Sequence, residues 1–262
     1  MVCLIDLDSI LYKAVYKVVS YRDIKDAIEL LGKEEARQWM LTEVYEQGIN
    51  RVEKQILEIV EYLDSVMVTE IQQSELFITT NKNCPRKKLA PTYKAKRKRN
   101  NYVWLLRNHF MINDAKFSDT LEADDLIQIR AKELGKENCI IVSPDKDLKQ
   151  IGGFYWSYYK QKVKGFDGEY ILNEYDQPKT EFKQKEPIFI TDKEAERLFW
   201  EQMLIGDTSD NIKGVYRIGK VKAKKILNNT KCMWFAVARK YIEKGQKQDF
   251  KINYELLRLG KR

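Results

Sequence analysis

The sequence predicts an α/β domain built on a parallel sheet, on three observations. Short apolar runs of strand length lead into aspartates: Val2 to Ile5 into Asp6, and Cys139 to Ser143 into Pro144-Asp145-Lys146-Asp147. Segments with helical periodicity separate them, and the spacing between runs suits crossover connections rather than hairpins. Runs this uniformly apolar fit strands buried on both faces.

Taken in order, Val2 to Ile5 ends at Asp6 as the first strand, and a polar, helix-compatible stretch follows to about Gln47. Arg51 to Val66 places Val52, Ile56, Ile59, Val60 and Leu63 at helical spacing, which predicts an amphipathic helix. Leu76 to Thr79 reads as a second strand. Pro85 and Pro91 make Lys82 to Arg99 a loop or broken helix until about Thr92. Asp119 or Thr120 is the expected cap of a helix over Leu121 to Leu134 that stops near Gly135. Cys139 to Ser143 is the third strand and Phe154 to Tyr159 the fourth. Residues 160–190 read as hairpins or an irregular excursion with a turn at Gly165-Phe166-Asp167-Gly168, before a helix over Asp192 to Leu204.

The chain has 262 residues, a single histidine (His109), and 47 Lys plus Arg against 39 Asp plus Glu, for a net charge of +8. That length suits one large domain, or one domain with a small appendix. No apolar run reaches the roughly 18–20 residues that span a bilayer, and the start lacks the pattern of a secretory signal. Cys3, Cys84, Cys139 and Cys232 lie far apart, without the spacing of a zinc knuckle or a disulfide framework. These features lead us to expect a reduced, cytoplasmic protein with no membrane partner.

The charge is segregated. Residues 76–113 carry ten basic and no acidic side chains, and residues 211–262 carry 15 basic against three acidic. The first 75 residues and the stretch from 114 to 210 are net acidic. Two cationic blocks around an acidic middle point to a polyanionic partner.

Ligands of an open parallel sheet gather beyond the carboxyl ends of its strands. Asp6 and Asp8 follow the first strand, and Asp145 and Asp147 follow the third. Glu122, Asp124 and Asp125 open a helix, and Asp207 and Asp210 lie in Gly206-Asp207-Thr208-Ser209-Asp210. Carboxylates brought together repel, and a divalent cation resolves the repulsion. Oxygen donors without histidine select Mg²⁺ or Mn²⁺. Two such ions about 4 Å apart clamp the attacking and leaving oxygens of a phosphodiester.

The stretch Ile212-Lys213-Gly214-Val215-Tyr216-Arg217-Ile218-Gly219-Lys220-Val221-Lys222-Ala223 carries a second signal. Gly214 and Gly219, each beside an apolar residue (Val215, Ile218), suit a tight turn between helices. The amides that open the second helix can grip a phosphate without reading bases. Lys220, Lys222, Lys224 and Lys225 add charge.

Together these residues resemble the 5′–3′ exonucleases and flap endonucleases, a group that includes bacteriophage 5′ nucleases and the 5′-nuclease domain of bacterial DNA polymerase I. The resemblance runs in order through Asp6, Glu122-Ala123-Asp124-Asp125, Asp145-Lys146-Asp147 and Gly206-Asp207 through Asp210-Asn211, then into the hairpin. It implies a PIN-like parallel-sheet core flanked by helices, with a basic arch and a C-terminal helix-hairpin-helix (H3TH) subdomain. The expected division is a core over 1–190, with the arch at about 82–107, and a DNA-binding region over 191–262. Arg86 and Tyr93-Lys94-Ala95-Lys96-Arg97 look like the family's Arg…Tyr-Lys-x-x-Arg. By that resemblance Lys94 and Arg97 stabilise the scissile phosphate. Arg86 and Lys96 contact DNA, and Tyr93 either stacks on a base or packs internally. One metal cluster is expected at Asp6, Glu122, Asp124 and Asp125, and the second at Asp145, Asp147, Asp207 and Asp210. A monovalent cation is expected at the hairpin.

The implied activity is a metal-dependent, structure-selective 5′ nuclease acting on flaps, nicks or RNA-primed 5′ ends in replication or repair. The expected form is a monomer without a fused polymerase, working with replication proteins in a bacterial or phage-infected cell. An RNA-directed PIN-type ribonuclease and a junction-binding protein with weakened catalysis are the alternatives. The sequence departs from the family at the second strand, where Thr79 or Thr80 stands in place of a usual aspartate, with Asp8 a candidate substitute. It also carries a long charged segment, from about Val18 to Asn50, to which the resemblance gives no role.

Overall fold

Strand β1 (Val2–Asp6) lies inside the main sheet, parallel to the edge strand β2 (Gln73–Phe77) on one side and to the central β3 (Cys139–Val142) on the other. Ile5 lies opposite both Leu76 and Val142, so the strands end together. Strand β4 (Gly153–Trp156) continues the parallel run beside β3. After a hairpin of β5 (Lys160–Lys162) and β6 (Thr180–Phe182), β7 (Ile188–Ile190) closes the edge antiparallel to β4. The order is β2-β1-β3-β4-β7.

The computed structural model describes residues 1–262 except 19–20, 81–82, 98–99, 167–168, 174–176 and 261–262, and except the side chains of Lys17, Tyr21 and Arg22. Asp167 and Gly168 of the expected turn, and Lys82, Lys98 and Arg99 of the basic segment, lie outside the described residues.

The pleat sends alternate side chains to two cores. Cys3, Ile5, Ile140 and Val142 join a cluster with α1 (Asp8–Val18), α3 (Lys33–Val66) and α5 (Asn101–Asn113), whereas α2 (Tyr21–Leu31) packs on α3. Leu4, Cys139 and Ile141 join the opposite cluster with α6 (Ala123–Leu134) and a 3-10 turn (Lys146–Ile151). Each fully buried branched side chain contributes about 1.5–3 kcal/mol, so the double-sided burial fixes the register of the strands. A third core unites α7 (Asp192–Ile205), α8 (Lys220–Asn228), α9 (Met233–Glu243) and α10 (Lys247–Leu257). Cys84 and Tyr93, which flank the short helix α4 (Pro85–Leu89), also enter this core.

Several elements differ from the sequence reading. The second strand ends at Phe77, leaving Thr79 and Thr80 in the loop beyond it. The segment without a role is helical, because α2 and the first half of α3 occupy most of it. Helix α6 starts at Ala123 rather than Leu121. Thr79 Oγ1 accepts the Ala123 amide at 2.9 Å, and Asp125 Oδ2 accepts the Glu122 amide at 3.3 Å, so the caps come from the acidic turn and the neighbouring loop. Pro85 stands in the first turn of α4, where its missing N–H leaves no bond unmade.

Helix α7 ends in Gly206, and β8 (Gly206–Asp207) pairs with β9 (Ile212–Lys213). Gly206 has φ +81°, and a Cβ there would stand 2.3 Å from the Gly214 nitrogen. A Cβ on Gly214 would be equally close to the Ile205 carbonyl carbon. The two backbones can cross only as glycines.

Candidate active-site cleft

The carboxyl ends of β1 and β3 open into a cleft of about 640 Å³ lined by Asp6, Asp124, Asp145, Asp147, Asp207 and Asp210. Asp6 is 5% exposed and accepts hydrogen bonds from Ser143 Oγ at 2.8 Å and Ser9 Oγ at 3.5 Å. Burial, with Asp8 and Asp145 nearby, pushes its carboxyl up to about 7 against the Ser143 bond. Ser143 Oγ also accepts the Asp145 amide at 3.0 Å, and Asp145 Oδ1 accepts the Asp147 amide at 2.9 Å to cap the 3-10 turn. Asp147 is likewise pushed up to about 7, by burial first and then by the neighbouring Asp145 and Asp207.

Gln202, in the last turn of α7, donates to Asp147 at 2.7 Å and to Asp207 at 3.2 Å. Burial would raise Asp207 too, but Ser209, Asp147 and the amides of residues 209 and 210 outweigh it and hold that carboxyl below its usual range. Asp124 is driven up by burial and by Asp6. Asp6, Asp145, Asp147 and Asp207 have no cationic ion-pair partner among the described residues.

The other acids are compensated. Glu122 takes Lys94 Nζ on Oε1 at 2.6 Å, with Tyr93 Oη at 2.8 Å and Arg86 on Oε2. Its burial is overcome by Lys94 and Arg86, which hold its carboxyl near 2. Asp125 receives both Arg86 nitrogens, at 2.7 and 2.8 Å. Asp210 binds Arg97 and lies 3.7 Å from Lys94 Nζ. The Lys94 amide bonds the Asp210 carbonyl at 3.0 Å, and Asn211 Nδ2 bonds the Thr92 carbonyl at 3.0 Å, so the arch turn and the 206–211 loop are stitched together.

Several predicted residues stand differently from expectation. Arg86, read as a DNA contact, is 2% exposed and spends its guanidinium on Glu122 and Asp125. Tyr93 is 3% exposed with its hydroxyl on Glu122, so of the two readings the ring packs. The side chains of Val215 and Ile218 pack in the helical core, and their amides bond the carbonyls of Leu204 and Val215. Free amides therefore begin at the first turn of α8, where Gly219 is the N-cap and a Cβ would meet nothing within 4 Å. Lys96, Lys220 and Lys222 are exposed. Of the expected metal ligands, Asp6, Asp124, Asp145, Asp147, Asp207 and Asp210 line one cleft, whereas Glu122 and Asp125 are buried beside it on Arg86 and Lys94, and among the described residues no three acidic, histidine or cysteine side chains are arranged to hold a metal ion. The set is all oxygen, and burial first and neighbouring acids second push Asp6, Asp124 and Asp147 toward protonation, so it fits a hard divalent cation.

No protein-family model matches the chain. Over 181 residues, 64% of the chain, it is 29% identical to DNA polymerase I of Borreliella burgdorferi, and it spans 18% of that polymerase's length. In structure it is similar to the T5 5′-exonuclease with divalent metal ions (zinc) bound, with a TM-score of 0.61 over 99% of this chain and 89% of that one, at 13% identity. The fold is that of the T5 5′-exonuclease. A bacteriophage T5 flap endonuclease in a pseudo-enzyme–product complex with DNA and metal ions is also similar, with a TM-score of 0.55, 13% identity, and coverage of 98% and 85%.

On this exonuclease fold, sequence reasoning missed Ser143, Gln202 and Arg107. Ser143 was visible as the last residue of an apolar run. Gln202 sits five residues before Asp207 on the face of α7 that meets the 3-10 turn, which only the packing reveals. Arg107, 9% exposed on α5, donates to Asp8 Oδ1 at 2.7 Å, and Asp8 Oδ2 accepts the Thr79 amide at 3.2 Å. Thr80 Oγ1 bonds the Ser118 carbonyl at 2.7 Å. At the edge where the family carries an aspartate, both threonines and Asp8 are thus committed within the protein. Among the described residues no helix is long and apolar enough to cross a membrane.

Proposed function

We propose that this chain is a structure-selective 5′ nuclease that hydrolyses DNA phosphodiesters at flaps, nicks and free 5′ ends, RNA-primed ends included, with the help of divalent ions, Mg²⁺ or Mn²⁺. One observation carries the reading: uncompensated Asp6, Asp124, Asp145, Asp147 and Asp207 face the same cleft as Lys94 and Arg97. Those five acids would hold the ions, with Asp210 and Glu122 at the margin where Lys94 sits. Bound there, two ions would supply an activated water and positive charge for the phosphoryl oxygens. Lys94 and Arg97 bind and orient the scissile phosphate, already aimed into the cleft by their bonds to Glu122 and Asp210. The first-turn amides of α8, with Lys220 and Lys222 and a monovalent cation at the hairpin, grip a duplex phosphate, and Lys96 extends the basic track. Asp125 serves this site through Arg86. The likeness to the T5 proteins and to part of a bacterial polymerase supports the reading.

The test is digestion of a 5′-labelled flap, a nicked duplex and an RNA/DNA hybrid, with and without Mg²⁺ or Mn²⁺. Cleavage only with metal is the expected result, and no cleavage of any substrate with either metal would overturn the enzyme reading. DNA binding that survives chelator without any cleavage would identify a junction-binding protein instead, the reading that the committed threonines at the β2 edge favour.

A further inference from the structure

The segment after the last helix, Arg258–Gly260, reaches back across the molecule to the buried carboxylates of α6. The Gly260 amide donates to Asp125 Oδ1 at 3.0 Å, and the Arg258 carbonyl accepts from Arg86 Nη2 at 3.4 Å. We propose that Arg258–Gly260 is a clasp whose two backbone groups position Asp125 and Arg86, and through them Glu122 and Lys94, for phosphate binding in the cleft. The proposal rests on the nuclease reading above.

The argument starts from what a buried carboxylate needs. Asp125 is 1% exposed. Its oxygens take two bonds from Arg86, one from the Glu122 amide and one from Gly260, so each oxygen accepts two bonds. Arg86 is just as buried, and its Nε has no hydrogen-bond partner among the described residues. Its other two nitrogens therefore carry the whole solvation of the charge, on Asp125, Glu122 and Arg258. An ion pair this deep tolerates no missing partner, and loss of one reorients the rest. The far end of the chain of bonds is Lys94, which Glu122 Oε1 holds at 2.6 Å.

The clasp itself is built for its place. Gly260 has φ +62°, and a Cβ there would stand 2.6 Å from Gln128 Oε1 and 2.7 Å from its Cδ. Only glycine brings its amide down onto α6 at that point. On either side, Leu259 packs against the core beneath α6, and the Arg258 guanidinium lies 4.7 Å from the Phe199 ring centroid. Leu256 and Leu257, immediately before it, belong to the core of α7–α10 and line the cleft. The segment therefore joins the helical DNA-binding end of the molecule to the acids beside the reacting phosphate. Leu259 also lines the cleft, but the two backbone groups of the clasp act through Asp125 and Arg86, so they are positioning groups.

The test uses the full chain with Gly260→Pro, which removes the donating N–H, and Gly260→Ala, which keeps it but crowds Gln128. Single-turnover flap cleavage at saturating Mg²⁺ is expected to fall about tenfold or more in Gly260→Pro and less in Gly260→Ala, because small misplacements of an orienting group cost rate. Flap affinity measured in chelator stays within about twofold of the parent, since the phosphate contacts that dominate it are intact. Unchanged cleavage in both variants overturns the proposal. So does a parallel loss of rate, affinity and thermal midpoint, which would mean that the segment only holds the fold.

Hydrogen exchange on the unaltered chain supplies a readout without catalysis and without dependence on how a variant folds. The Gly260 amide should be protected, and an amide that exchanges as freely as an open terminus overturns the clasp. If the parent cleaves no substrate with either metal, the nuclease reading fails, and the exchange result still decides whether the clasp exists.

Discussion

The two edges of the cleft, at the ends of β2 and β3, are made from similar residues and treated in opposite ways. At the β2 edge the acid is Asp8, paired with Arg107, and the neighbouring threonines cap α6 and bond Ser118. At the β3 edge Asp145 and Asp147 face Asp6 and Asp207, and among the described residues neutral groups alone steady them: Ser9, Ser143, Ser209, Gln202 and backbone amides. The difference teaches which acids the fold uses for itself. A carboxylate given its own cation stabilises the structure, whereas carboxylates left to repel one another are open to an external charge.

The largest effect that would break this comparison comes from the β3 edge. Asp145→Asn should lower cleavage by at least about a hundredfold while flap binding in chelator is retained. Full activity in that variant would show that the uncompensated edge is not where the chemistry happens. Lys94→Ala comes next. Its cleavage rate should drop by about 10²–10³-fold with a much smaller change in affinity, since Lys94 sits against the cleft acids rather than along the duplex track. A larger loss of binding than of rate would make it a strand-guiding contact.

The β2 edge should answer with stability. Asp8→Ala leaves Arg107 nearly buried without its partner, at a cost of about 1–2 kcal/mol given the partial exposure of the pair, read from denaturant unfolding. A variant as stable as the parent but inactive would place Asp8 among the reactive acids. The smallest effect sharpens the comparison away from the cleft. Burial pushes Glu75 up, but hydrogen bonds from Arg130 and Lys116 outweigh it and hold the carboxyl below its usual value. That depression stabilises the fold above the unfolded pKa, about 4.3, and the benefit fades as pH falls through the lower folded value. Glu75→Gln should therefore melt below the parent at neutral pH, and the gap should close under acid. A gap that stays constant down to pH 3 would mean that charge is not what Glu75 contributes.

Much of the sheet was legible in the sequence, because double-sided burial of a strand such as Cys139–Val142 writes an unbroken apolar run. Acids directly after such runs were legible for the same reason. The boundaries shifted where a partner from elsewhere decided them. Thr79 caps α6 from the loop after β2, so no local cap signal marks Ala123 as the start. The split of the acids into compensated and uncompensated sets was not legible at all. Arg86 looked like one more cation of a basic arch, and only the packing of α4 against α6 turns it inward. Asp125 and Asp124 are neighbours in sequence, yet the helix points one at Arg86 and the other into the cleft. The segment from about Val18 to Asn50 was legible as helix-compatible but not as to its role, because α2 packs on α3 while Met40 and Val44 of α3 enter the core on one face of the sheet, away from the cleft acids.

The stitching of the arch turn to the 206–211 loop has a consequence for how the cleft comes together. Lys94 is bonded to Asp210 through both backbone and ammonium, and Arg97 meets the same carboxylate from 113 positions away. Until the loop docks, the arch turn lacks this partner and the cleft lacks one wall. Contacts between such distant stretches of chain carry a loop-closure cost that is met only when the rest of the fold holds them in place. For a protein proposed to cut DNA, this topology makes an assembled fold the condition for an assembled site.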